Sequence, residues 1–194
     1  MTLVSAQNIT YSINETKLFH NLSFGVNSGE GLHIKGGNGS GKSTLLRIIL
    51  GITTPTKGLI KRCSEDLKIS YLGHKNAIKN YLTPIENLEL LFNDVEIKIA
   101  YEWLYKFNLS HVQDELAASL SFGQQKKLAL IRVLAQSPEL IVLDEPFVGL
   151  DQTAADQLNH FLEEQLSKGV GLIFTSHINP KISCKVLDLE AKNV

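Results

Sequence analysis

Apolar and polar residues alternate in short runs from Leu3 to Gly31, as in Asn8-Ile9-Thr10-Tyr11-Ser12-Ile13 and Asn21-Leu22-Ser23-Phe24-Gly25-Val26. This period of two predicts antiparallel strands. Leu32-His33-Ile34-Lys35 reads as a further short strand, and from Thr44 to Leu50 the spacing becomes helical until Gly51. The run from Thr53 to Gly58 is a turn, and Lys68 to His74 is a strand. Thr83-Pro84-Ile85-Glu86 then marks a helix start, with a threonine cap, proline at the first helical position and glutamate three after the cap. Ile85, Leu88, Leu91 and Phe92 follow on one face, and a second helix is predicted across Ile99, Ala100, Trp103, Leu104 and Phe107. Ser121 and Gln124 repeat the capping pattern before a helix whose apolar side is Leu128, Ile131 and Ala135, stopped by Ser137-Pro138. Leu140-Ile141-Val142-Leu143 has the unbroken apolar character of a strand buried on both faces. A helix through Leu158, Phe161, Leu162 and Leu166, a strand from Gly171 to Ser176 and a closing strand at Val186-Leu187-Asp188-Leu189 complete the order.

Between the first strands and the first helix stands Gly36-Gly37-Asn38-Gly39-Ser40-Gly41-Lys42-Ser43-Thr44, of the form G-x-x-x-x-G-K-[ST]. Strand, glycine turn and helix follow in the order that lets successive N–H groups and a helix N-terminus cradle polyphosphate. Lys42 is placed to reach the β- and γ-phosphates, and Ser43 to offer its hydroxyl to Mg²⁺. The buried strand delivers Asp144 and Glu145 at its C-terminal end, where open α/β sheets place ligands. Asp144 suits Mg²⁺, directly or through water, and Glu145 suits orienting and deprotonating an attacking water. His177, at the end of the last long strand, can donate to a γ-phosphate. Ser121 and Gly123, at a helix N-terminus, offer a second anion site. Tyr11 lies far enough upstream either to fold over the loop and stack on adenine or to pack across strands.

With 194 residues, 43% of them hydrophobic and 20% charged, the chain fits one core-forming unit. Its formal charge of −1 gives no basic field for nucleic acid. Met1 to Asn8 carry no basic start or apolar core, so no signal peptide is expected, and no apolar run reaches the length of a membrane span. Cys63 and Cys184 stand far apart, as reduced thiols in a cytoplasmic protein do.

The phosphate loop, Leu120-Ser121-Phe122-Gly123-Gln124, Leu143-Asp144-Glu145-Pro146 and His177, in that order, resemble the ATP-binding subunits of ABC transporters over nearly the whole chain. The resemblance implies an α/β fold: a P-loop NTPase core of ABC ATPase type, with an N-terminal antiparallel β subdomain and a helical subdomain at approximately 75–137, in one ATP-binding domain over 1–194. It implies ATP and Mg²⁺ as cofactors, Tyr11 as the adenine-stacking residue, Asp151 as the loop aspartate at a dimer contact and His177 as the switch histidine. It further implies an ATP-dependent, head-to-tail homodimer in which Ser121 and Gly123 of one copy, in the stretch that runs on to Gln124, complete the site built by Lys42 of the other. Phe122 replaces the glycine most common in that motif. His74 stands where the family usually has a glutamine that senses Mg²⁺ and the attacking water.

Tyr71-Leu72-Gly73-His74, Ile78-Lys79, Leu82-Thr83, Glu86-Asn87-Leu88 and Asp144-Glu145-Pro146-Phe147 narrow the likeness to the haem-exporter ATPases of bacterial cytochrome c maturation. That family implies a peripheral protein on the cytoplasmic face of the inner membrane, held by small integral membrane subunits, whose ATP hydrolysis releases haem-loaded chaperone. Direct haem binding is not expected, because there is no C-x-x-C-H and the six histidines form no axial-ligand pattern. The alternatives are the ATPase of another ABC exporter, or a soluble ABC ATPase of translation or DNA repair, a class that usually carries two cassettes or a long coiled coil.

Overall fold

The computed structural model describes residues 1–13, 16–177 and 181–190, with Thr16 described for its backbone alone. Two sheets organise it. Strands β1 (Thr2–Ile13), β2 (Thr16–Asn27) and β4 (Lys57–Arg62) form an antiparallel sheet in the order β2-β1-β4. Strands β3 (Gly31–Lys35), β5 (Ile69–Leu72), β6 (Leu140–Leu143), β7 (Gly171–Thr175) and β8 (Lys185–Asp188) form a parallel sheet in the order β5-β6-β7-β3-β8.

The alternation in β1 and β2 is real but belongs to two twelve-residue strands, kinked where the register shifts around Ala6 to Tyr11. Asn8 and Asn21, at φ 52° and 51°, take the left-handed conformation there, which asparagine tolerates better than most residues. Sequence periodicity did not reveal β4. Leu59 is half exposed, and what makes this stretch a strand is its pairing with Val4 to Gln7 and with Thr10 of β1.

The central parallel strands β3, β6 and β7 are buried on both faces, and their period of two divides the core. Ile141, Leu143, Leu172 and Phe174 face one apolar cluster, whereas Leu140, Val142 and Ile173 face the other. The second cluster also takes Leu45, Leu46, Ile48 and Ile49 of α1 (Lys42–Ile49) and the inner faces of β1 and β2. The first takes the helices α3 (Asp94–Lys106), α4 (Phe122–Leu134) and α5 (Gln152–Ser167). Trp103 of α3 meets Phe161 of α5 edge-on at 5.6 Å, which ties the helical segment to the sheet-covering layer.

Helix α2 (Pro84–Glu89) starts as read, with the Thr83–Glu86 capping box in place, but it is a single short helix. The expected continuation through Leu91 and Phe92 fails because Asn93 caps α3 with its own box to Glu96 and so breaks the chain. Leu90 and Leu91 consequently stand exposed. No helix among the described residues is long and apolar enough to cross a membrane.

Candidate functional site: a phosphate-binding cleft

Because β3, β6 and β7 are adjacent and parallel, the segments leaving their C-terminal ends converge. They bring together the Gly36–Thr44 loop, Asp144-Glu145 and His177 around a cleft of about 570 Å³. Its wall carries Gly37, Asn38, Gly39, Ser40, Gly41, Lys42, Ser43, Thr44, His74, Asp144, Glu145 and His177. Gly36 lies just behind, its carbonyl accepting the Lys42 Nζ hydrogen bond at 2.8 Å.

The loop ends on Gly41, which caps α1 at φ 94° and offers no side-chain acceptor. A β-carbon there would sit 3.1 Å from the Phe19 ring in a conformation that other residues take only under strain. The N–H groups of the first helical turn are thereby left for an anion. Lys42 is 7% exposed and is bent back onto the Gly36 and Gly37 carbonyls, at 2.8 and 3.0 Å, with Glu145 Oε1 at 3.7 Å. Gly37 N–H donates to Glu190 Oε1 at 2.6 Å.

Thr175, in β7, holds the two carboxylates' segment. Its hydroxyl donates to Asp144 Oδ1 at 2.7 Å and accepts the Glu145 N–H at 2.8 Å, while Glu145 takes φ 47°. The His177 N–H donates to Glu145 Oε2 at 3.3 Å, and His177 Nε2 lies 3.1 Å from Glu145 Oε1 without the alignment of a hydrogen bond. Three buried oxygens therefore point into this region with no hydrogen-bond partner: Ser40 Oγ, Asp144 Oδ2 and Glu145 Oε1. Buried polar atoms are rarely left so unless a ligand or ion completes them. Asp144 Oδ2 and the hydroxyl of Ser43, which lines the same cleft, are oxygen donors of the kind that suits Mg²⁺. Among the described residues no three His, Cys, Asp or Glu side chains gather as a protein-only metal cage. A cation here would draw its remaining ligands from phosphate and water.

Several expected site residues stand off the cleft wall. Tyr11 packs on Phe19, ring centroids 6.1 Å apart, and the apolar rim is formed by Ile13 and Leu18. The stacking role assigned to Tyr11 thus finds it on a neighbouring ring, while Ile13, 48% exposed at the end of β1, lies on the rim itself. Ser121 and Gln124 close a reciprocal capping box: Ser121 Oγ accepts from Gln124 N–H, and Gln124 Oε1 from Ser121 N–H. Gly123 lies so near the Gly149 carbonyl that a β-carbon would approach it to 2.7 Å. Asp151 caps α5 through the Ala154 N–H at 2.9 Å and pairs with Lys127, which holds its carboxyl below the usual carboxylate range. Ser121, Gly123, Gln124 and Asp151 thus form an adjoining surface on the helical side.

Thr175, Lys126, Asn76 and Val148 belong to the site without having been singled out from sequence, and Phe122, noted there only as a departure from the usual motif, also lines the cleft. A hydroxyl closing the apolar run from Gly171 to Phe174 is the signal for Thr175. Asn76 owes its place to Arg132 of α4, whose guanidinium donates to the Asn76 and Ala77 carbonyls at 3.4 and 3.1 Å. Thr175→Val keeps the shape but orphans Asp144 Oδ1 and the Glu145 N–H, each worth about 1–3 kcal/mol when buried. The expected result is a melting temperature lower by several degrees together with slower ATP turnover. An unchanged melting curve would show that these bonds do not hold the segment.

The ABC transporter family profile matches residues 19–148. The cytochrome c biogenesis ATP-binding export protein CcmA of Idiomarina loihiensis is 37% identical over 171 residues, 82% of this chain and 78% of that protein. The protein of the same name from Dechloromonas aromatica is 35% identical over 188 residues, covering 90% of this chain and 92% of that one. Among solved structures, a dimeric ATP-binding cassette in a post-hydrolysis state, bound to ADP and Pi, superposes with a TM-score of 0.77 at 27% identity, covering 91% of this chain and 88% of that chain.

Proposed function

This chain belongs to the ABC transporter family and is an ATP-hydrolysing subunit, and we propose that it drives the membrane complex of cytochrome c maturation from the cytoplasmic face of the bacterial inner membrane. The observation that carries this reading is the phosphate cleft of an ABC ATPase in a chain that matches CcmA proteins of Idiomarina loihiensis and Dechloromonas aromatica along most of its length. The ATP-binding unit spans 1–194, its helical part about 75–137. Its partners are integral membrane subunits and a second copy of itself, and it does not bind haem.

ATP enters with its base against the Ile13 and Leu18 rim and its phosphates on the loop N–H groups. Lys42 leaves the Gly36 and Gly37 carbonyls for the β- and γ-phosphates, exchanging two neutral acceptors for charged ones. Ser43 and Asp144 would hold Mg²⁺, which would supply charge neutralisation for the phosphates when bound. Glu145 takes a proton from the water that attacks the γ-phosphorus, the bond to the β-bridging oxygen breaks, and ADP and phosphate leave. His177, beside Glu145 and half exposed, aligns that water and the γ-phosphate. His74 acts one step further out on the same wall. Ser121 and Gly123, at the N-terminus of α4, close over the nucleotide of the facing copy, and Asp151 sits at the seam between copies.

Cells whose sole copy carries Glu145→Gln are expected to make c-type apocytochromes without covalent haem, while b-type cytochromes stay normal. Peroxidase staining after denaturing electrophoresis reads the first and a difference spectrum the second. Normal c-type staining would reject the assignment to cytochrome c maturation and move the ATPase to another exporter. Loss of both haem classes would move the defect to haem supply.

A further inference from the structure

Lys126 is 3% exposed, yet it forms part of the cleft wall with Lys42, Asp144 and Glu145. Its neighbour Lys127, about 100° round helix α4, has clear partners: Asp151, and the Phe107 carbonyl at 3.3 Å. Lys126 has no carboxylate in ion-pair contact among the described residues. Burial draws its ammonium below the usual lysine range, and Asp144 and Glu145 oppose that shift. An ammonium is kept from water at a cost unless opposite charge faces it. Here that charge stands on the same cleft wall, in two carboxylates that each retain a buried oxygen without a donor.

We propose that Lys126 is a positioning residue, the resident counter-cation of the Asp144–Glu145 pair, which offsets their charge before a divalent cation arrives and opposes that cation once it is bound. The proposal rests on the reading of the cleft as an ATP and Mg²⁺ site, and it goes beyond it by giving two effects of opposite sign. Lys126 strengthens binding of metal-free ATP, because it adds positive charge near the phosphates. It also raises the Mg²⁺ concentration needed to load the site, because two cations then share one pair of carboxylates.

The test is fluorescence titration with a methylanthraniloyl-labelled ATP, in EDTA and across a Mg²⁺ series, on wild type, Lys126→Met and Lys126→Arg. Lys126→Met preserves the length and apolar stem of the side chain. It is expected to weaken binding in EDTA about three- to tenfold and to lower the Mg²⁺ midpoint by a similar factor. Lys126→Arg is expected to stay near wild type in both. If Lys126→Met melts early, Lys126→Gln carries the same comparison. Equal weakening with and without Mg²⁺ means a packing role and overturns the proposal, as does no change in either. Both outcomes leave the ATP site standing, whereas failure of wild type to bind would remove the site itself.

Discussion

Glu145→Gln is expected to cut ATP hydrolysis by about a hundredfold or more while Mg-ATP still binds. The substitution keeps the side chain's size but replaces a basic carboxylate, which neighbours the proposed Mg²⁺ ligand and holds its Oε1 without a hydrogen-bond partner, by an amide that cannot take a proton from water. Lys42 and the loop N–H groups are untouched, so nucleotide affinity is retained. Without turnover, the nucleotide-closed pair accumulates, visible as a dimer by size-exclusion chromatography in Mg-ATP. A phosphate-release rate near wild type would place the base elsewhere.

Lys42→Ala acts one step earlier. Lys42 is the buried cation of the loop, and removing a charge-assisted contact to phosphate costs about 1.5–3 kcal/mol, or roughly ten- to a hundredfold in affinity. The loop also loses the ammonium that bridges the Gly36 and Gly37 carbonyls. Calorimetry should therefore show weak ATP binding and no measurable turnover. Unchanged affinity would sink the assignment of the loop.

The residues that carry the proposed chemistry were legible because their signals are local. A glycine loop between strand and helix, a capping box at Ser121 and an apolar run ending in two carboxylates each state their geometry within ten residues, and the structure has each where it was read. What escaped is what other segments decide. The strand β4 is mostly exposed and exists through its pairing with β1. The two helices after Thr83 part at Asn93 because a cap outweighs the apolar spacing that runs on to Phe92. Tyr11 carries the chemistry for stacking on adenine, but the register of β1 against β2 turns it onto Phe19 and leaves Ile13 at the rim. Lys126 and Lys127 look alike in sequence, and helical rotation alone sends one to the cleft wall that Asp144 and Glu145 also line and the other to Asp151.

The proposed ATP site is composite, with Lys42 of one copy and Ser121 of the other around each nucleotide. Mixing Lys42→Ala with Ser121→Arg, each inactive alone, tests it most directly. Random pairing makes about half of the pairs mixed, and each mixed pair rebuilds one of its two sites from an intact Lys42 and an intact Ser121. The mixture should recover about one quarter of wild-type ATP hydrolysis per chain. A rate no higher than the two variants measured separately would contradict the shared site.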